Sequence, residues 1–456
     1  MNDILNKNLI LFKKYHCDIS LPLNFTSLNL ETFNNLPFKI FFNNQQIILN
    51  SKYNPIKEIE RQFEKDYIFK NKPIIFFGFG FGFILKFINS SLNLLSNKII
   101  IIEPFPEIFF TALNITDFSN EEQIIKNITF IISDSEEKIL KKLFSIISLN
   151  ELNTVNFIIH KPTFSLLSNK FNKIKSIIEQ IIENKNFENK FGSLMENNYL
   201  SNKKFISSSF PISDFIKQNK NKFEFGFLIS AGPSLDFCYA AIKKLKSKNS
   251  IIASVDAALI PLLENSIIPN FVLSIDPQHY IFDFYNYQKE YNFNLIFSLL
   301  SSPDIHSFSF QKKYYFVPSQ HFVISKFNDY YESDNFLDGG GAVSTYLLEL
   351  LIKLNCKSIY FFGQDFSFPF FYLYSKYSAF YLNAIISLNK FNSIETINFT
   401  SFLNFEYLSV NNLYTSKTLL TYKKEFENLI RKNNHISFFN VNSYGLNINS
   451  SQNIFI

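Results

Sequence analysis

The stretch "FGFLISAGPSLDFCYAAIKKL", Phe225–Leu245, decides the fold of the second half of the chain. A strand-sized, mostly apolar run meets Ala-Gly-Pro-Ser-Leu-Asp, and a run with helical character follows. Glycine and proline at that hand-over mark the βα turn of a parallel α/β unit. Gly232 and Pro233 let backbone approach a ligand, Ser234 stands at a helix N-cap position, and Asp236 falls in the first turn. Free N–H groups and the helix dipole at such a turn can hold an anion. The same residues can also serve their own helix alone, Ser234 as its cap and Asp236 against its dipole. Local features leave both readings open.

Downstream, strands are expected at 225–230, 250–255, 271–275, 294–298, 313–317 and 358–362. Asp256 ends the strand in "SIIASVDAAL", and Asp276 ends that in "PNFVLSIDPQ". Open parallel sheets bind ligands at the carboxyl ends of their strands, so both acids are candidates. Asp256 also reads as an N-cap of the helical run after it, whereas Pro277 follows Asp276. In "DGGGAVSTYLLELLIKLNCKSIYFFGQDFSF" (Asp338–Phe368), three glycines lead into an apolar helix with Ser344 and Thr345 in its first turns. Gly340 and Gly341 make a second anion-friendly helix start. The next strand ends in Gly363-Gln364-Asp365.

Upstream, "KPIIFFGFGFGFILKFI" is another strand, turn and helix, with Gly78, Gly80 and Gly82 in the turn. Glu103 ends the following strand, where a carboxylate would meet ribose hydroxyls. A nucleotide or S-adenosylmethionine site is one reading, and a ligand-free Rossmann-like turn is the other. Four segments are expected. Residues 1–65 form an N-terminal α+β segment, with a hairpin at Phe38–Asn50 and an amphipathic helix in "NPIKEIERQFEKDYIF". Residues 66–205 form a Rossmann-like domain with a helical connector. Residues 206–370 form the central α/β domain. Residues 371–456 mix helix and loop, with a helix near 415–432. The fold class is thus α/β, with two successive Rossmann-like parallel-sheet domains and a smaller, mainly helical C-terminal region.

Composition narrows the function classes. The 58 Phe and absent Trp among 456 residues follow A/T-rich codons, so an individual Phe carries no functional signal. The net charge of +5 is spread thinly, without the basic stripe of a nucleic-acid binder. Cys17, Cys238 and Cys356 are odd in number and far apart, which gives neither a disulfide framework nor a zinc motif and fits a reducing cytosol. No metal-ligand spacing stands out. The N-terminus lacks signal-peptide features, and the most apolar run is too short and too glycine-rich to cross a bilayer. A soluble cytoplasmic protein is expected.

The order "FLISAGPSLD", "IIASVDAAL", "IPNFVLSIDPQ", "GGGAVSTYLLELLIKLNCKSIYFFGQDFSF" resembles the bacterial motility accessory factor family. That family is implicated in attaching nonulosonic acids, sialic-acid-like sugars, to flagellin. The resemblance spans nearly the whole chain, and the central domain is similar in turn to bacterial sialyltransferases and to the archaeal 6-hydroxymethylpterin pyrophosphokinase. It implies a CMP-activated nonulosonic acid as donor, with no certain cofactor. A Ser or Thr of flagellin or of another secreted bacterial protein would be the acceptor. By resemblance, Gly232, Pro233 and Ser234, flanked by Ala231 and Leu235, would face the nucleotide phosphate. Ser344 and Thr345 would lie near the nucleotide, and Asp365 would organise the loop beside it. Ala231 stands where sialyltransferases often carry Asn, and no His follows Gly363-Gln364-Asp365. The base is Asp276 or His279, with His306 and His321 on later loops. Tyr372, Tyr374 and Tyr377 could donate to the leaving phosphate. One alternative is a pyrophosphokinase using ATP, with magnesium on Asp256 and Asp276. Another is a non-catalytic, nucleotide-sugar-binding flagellar accessory protein.

Overall fold

The computed structural model describes residues 3–16, 19, 27–33, 36–66, 72–91, 97–147, 155–319, 323–324, 327, 329, 331–393, 396, 407–410 and 413–456. Cys17 and His321 lie outside the described residues. The chain divides into two compact units, Met1–Asn189 and Lys190–Ile456.

The first unit opens with α1 (Asp3–Tyr15) and an antiparallel meander of β1 (Leu30–Phe33), β2 (Leu36–Phe42) and β3 (Gln45–Ile48). Asn43 and Asn44 close the expected hairpin with φ of 49° and 62°. Their short polar side chains tolerate the left-handed region that a two-residue hairpin turn demands. The amphipathic α2 (Pro55–Asp66) follows. A parallel sheet then forms from β4 (Ile74–Phe77), β5 (Ile99–Glu103), β6 (Ile128–Ile132) and β7 (Asn156–Ile159), in the order β6-β5-β4-β7. Ile74 and Phe76 enter one core with Phe12, Phe109 and Leu113, while Ile75 and Phe77 enter another with Ile139, Leu143 and Ile174. Alternate side chains thus bury on opposite faces, which explains why these strands read as unbroken apolar runs. The longer helices between them are α3 (Phe83–Ser90), α4 (Pro106–Ile115) and α5 (Glu136–Ile146), with a single turn at Glu122–Ile125. A long helix, α6 (Asn172–Asn202), runs across the division of the chain.

The second unit holds a ten-stranded sheet, parallel at every pairing. Its strands are β8 (Phe210–Pro211), β9 (Phe225–Ile229), β10 (Ser250–Val255), β11 (Phe271–Ser274), β12 (Asn294–Ser298), β13 (Lys313–Pro318), β14 (Phe336–Leu337), β15 (Ser358–Phe362), β16 (Ser437–Val441) and β17 (Gln452–Ile454). The order is β14-β13-β12-β11-β10-β9-β15-β16-β17, with β8 beside β13. From β9 the chain builds outward through β13, then returns along α7 (Val343–Lys353) to lay β15 on the other side of β9. That reversal is a topological switch point, where the crevice of an open α/β sheet lies. The pairing continues past the strand ends, Ser230 N donating to Phe362 O and Gly232 N to Gly363 O. Beyond residue 370 come α8 (Ala379–Ile386) and α9 (Lys417–Lys432), and then β16 and β17 join the same sheet. The expected mainly helical C-terminal region therefore also supplies sheet, because "SFFNV" is a largely buried strand paired with β15.

Candidate functional site

The second unit has a cavity of about 410 Å³ at the carboxyl ends of β9, β10, β11 and β15. The opening stretch contributes Ser230, Ala231 and Gly232, and the β15 end contributes Gly363, Gln364 and Asp365. Asp256 and Asp276 line it from the ends of the adjacent strands β10 and β11. Ser344 lines it from the start of α7. Tyr280, Phe284, Tyr374 and Phe380 form an aromatic wall, in which Tyr374 stacks on Phe380 with ring centroids 4.6 Å apart. Tyr280 packs edge-on against both phenylalanines. Ser416, Thr418 and Tyr422 line it from around the start of α9.

The Gly-Pro-Ser turn itself is interlocked. Asp365 Oδ2 accepts the Ser234 N–H at 2.9 Å. The Ser234 hydroxyl accepts from Tyr444 N at 2.8 Å, and Ser234 is fully buried. A Cβ on Gly232 would stand 2.5 Å from both Asp365 Oδ2 and Gly363 O, so only glycine fits. One anion that this turn holds is therefore Asp365 of the same chain. Pro233, Ser234, Leu235, Gly340, Gly341 and Thr345 do not line the cavity. Gly340 instead abuts Glu425.

The electrostatics follow from burial. Burial pushes the Asp256 carboxyl up to about 7, with the neighbouring Asp276 charge adding to the shift. Asp256 is not the expected N-cap: Val255 holds that position and no side chain caps the turn, while Asp256 Oδ1 accepts from the next amide, Ala257 N, at 2.8 Å and the Ser274 hydroxyl donates to Oδ2 at 3.1 Å. Asp276 is oriented by Gln278 N at 3.0 Å and by the Tyr280 hydroxyl. Desolvation raises Asp365 to about 6, against hydrogen bonds from Ser234. Tyr374 is pushed up to about 12 by burial and by Asp276 and Asp256, so it stays a proton donor at neutral pH.

His279 is not brought to this cavity. Its side chain is 78% exposed and its Nδ1 lies 2.8 Å from Asp304 Oδ2, because the loop after Pro277 turns it outward. His306 is held in place by Asn202 and stacks on Phe205. Tyr372 and Tyr377 do not line the cavity. Nothing in the local sequence marks Phe284, Phe380 or Tyr422 as cavity residues. Only Tyr280, four residues after Asp276, had a local signal. Among the described residues no cluster of three or more His, Cys, Asp or Glu side chains is placed to hold a metal ion.

In the first unit the glycine turn is filled by the chain itself. Glu103, fully buried, accepts Phe79 N at 2.8 Å and Phe105 N at 3.0 Å. Burial raises its carboxyl to about 7. His160, at the end of β7, crowds Gly78 and Gly80, and Phe118 covers Gly82. Its Nδ1 meets the Thr163 hydroxyl at 2.7 Å and its Nε2 meets Leu49 O at 2.6 Å, while burial lowers its pKa to about 4. Gly78, Gly80, Gly82 and Glu103 thus pack a closed turn.

Residues 24–187 match the family model of the glycosyltransferase Maf N-terminal domain. Residues 197–370 match that of the 6-hydroxymethylpterin diphosphokinase MptE-like domain. No curated protein matches the chain. Among solved structures, a Maf glycosyltransferase from Magnetospirillum magneticum AMB-1 is 14% identical, with a TM-score of 0.47, over 99% of this chain and 74% of that one. A Clostridium novyi NT protein described as a tagatose-6-phosphate ketose/aldose isomerase is 12% identical, with a TM-score of 0.18, over 66% of this chain and 81% of that one. Likenesses this low carry no functional argument. The two family models, in the order that the motifs implied, carry the assignment: the chain belongs to the Maf-like family, a Maf glycosyltransferase N-terminal domain followed by an MptE-like domain.

Proposed function

We propose that the second unit transfers a nonulosonic sugar from a CMP-activated donor to a Ser or Thr hydroxyl of flagellin or another secreted protein. The observation that carries this reading is the switch-point cavity with Asp256 and Asp276 on adjacent strand ends. The aromatic wall suits the flat face of a nucleobase or sugar. In the step itself the acceptor oxygen attacks the anomeric carbon of the sugar. The bond from that carbon to the phosphate oxygen of CMP breaks, and its electron pair leaves with CMP. Asp276, oriented by Tyr280 and Gln278, takes the acceptor proton. Tyr374, protonated at neutral pH, donates a hydrogen bond to the leaving phosphate. The reading sets the reaction in the cytoplasm, before the acceptor is exported. No helix among the described residues is long and apolar enough to cross a membrane, in keeping with that setting.

A second reading draws on the same carboxylate pair. Asp256 and Asp276 could receive magnesium on a pyrophosphate, as an ATP-dependent diphosphokinase requires. A thermal-shift series with CMP, CDP, ATP plus magnesium, and S-adenosylmethionine separates the readings. Stabilisation by CMP, followed by a mass gain of one sugar on flagellin incubated with protein and CMP-sugar, is the expected result. Stabilisation by ATP–magnesium alone would replace it with the kinase. Binding of CMP-sugar without transfer would make the chain a non-catalytic accessory protein.

A further inference from the structure

Asp365 is 3% exposed and lines the cavity, yet among the described residues only its Oδ2 has a partner at hydrogen-bond geometry. Oδ2 takes the Ser234 N–H, whereas Oδ1 is buried without a hydrogen-bond partner among the described residues. A buried carboxylate oxygen left unpaired is costly, and on a residue that lines a cavity an incoming donor can satisfy it. The surroundings specify what kind. Among the described residues, three carboxyl groups, those of Asp256, Asp276 and Asp365, line this cavity, and no Lys, Arg or His does. A phosphate set against Asp365 would meet a like charge in a poorly solvated place. The adjoining walls are backbone and small side chains at Gly232, Gly363 and Ser230, whose hydroxyl is already bonded to Gln364 Oε1 at 2.5 Å.

We propose that Asp365 is a ligand-binding residue whose Oδ1 accepts a hydrogen bond from a hydroxyl of the bound molecule. The ligand part against the β9–β15 edge is then a neutral polyol and not the phosphate. This rests on the nucleotide-sugar reading above, and either the ribose or the transferred sugar supplies such a hydroxyl. Calorimetric titration of wild type and Asp365→Asn with CMP, 2′-deoxy-CMP, 3′-deoxy-CMP and CMP-N-acetylneuraminic acid tests it. A ribose contact shows as CMP binding wild type at least about tenfold tighter than one deoxy analogue, the gap closing in the variant. A sugar contact shows as the same gap between CMP-sugar and CMP, again closed by the variant. Gaps that are absent, or that survive the substitution, overturn the inference and leave the nucleotide reading standing. Failure of wild type to bind any of the four overturns both. Should Asp365→Asn not fold, a crystal structure of wild type with bound CMP-sugar decides without it. A ligand hydroxyl within about 3.2 Å of Asp365 Oδ1 is expected, and a phosphate or no donor there overturns the inference.

Discussion

The glycine turns after β4 and after β9 have the same topology around them and opposite outcomes. Each follows a central parallel strand, each flanks a switch point, and each grips a carboxylate of its own chain. After β4, Glu103 spends both oxygens on amides, and His160, Asn50 and Phe118 fill the remaining space. After β9, Asp365 has a hydrogen-bond partner on one oxygen among the described residues, and the cavity it lines stays open. The difference teaches that strand order sets where a crevice can form, while the side chains sent in by neighbouring loops decide whether it survives.

The comparison breaks most readily at Gly78. A Cβ there would lie 2.5 Å from His160 Cβ at a φ of 99°. Gly78→Val should cost more than about 3 kcal/mol and lower the first thermal transition sharply. A midpoint unchanged within a few degrees would show that the turn is not packed as described. At the open cavity the corresponding loss is one of rate, and it falls on Asp276 at the end of β11. Asp276→Asn should reduce sugar transfer about 100-fold or more with little change in thermal midpoint, and retention of a tenth of wild-type turnover would remove Asp276 as base.

Glu103 sharpens the contrast through pH. Its folded pKa of about 7 lies above the ordinary 4.5, so the folded state holds the proton more tightly than the unfolded one. Stability of the first unit therefore falls as pH rises from about 4.5 to about 7, by up to about 3 kcal/mol. Denaturant titrations at pH 5 and pH 8 should show that part of the slope vanish in Glu103→Gln; an unchanged slope would count against the buried carboxyl. Ser234→Ala, which strips the acceptor of Tyr444 N, should cost about 1 kcal/mol. The smallest effect is expected at His279, where alanine should change turnover less than about twofold; a tenfold loss would return it to the mechanism.

Much of the scaffold was legible because strand and helix signals are near-neighbour properties. The runs at 250–255, 294–298 and 358–362 became β10, β12 and β15 with those bounds. Asp256, Asp276, Gly363 and Asp365 were recognisable as strand-end residues, and all four line the cavity. The aromatic wall was not legible, since among so many phenylalanines Phe284 and Phe380 carry no distinguishing local pattern. Nor was the orientation of His279, which the loop after Pro277 turns outward to meet Asp304.

The stretch Phe225–Leu245 marks the boundary between the two kinds of information. Apolar run, Gly-Pro turn and following helix were set by local chemistry, because glycine and proline constrain the backbone wherever they stand. Whether that turn grips a phosphate or a carboxylate was settled by tertiary structure alone. Its partner, Asp365, arrives on β15 from 131 residues away, and only the switch in strand order brings the two together.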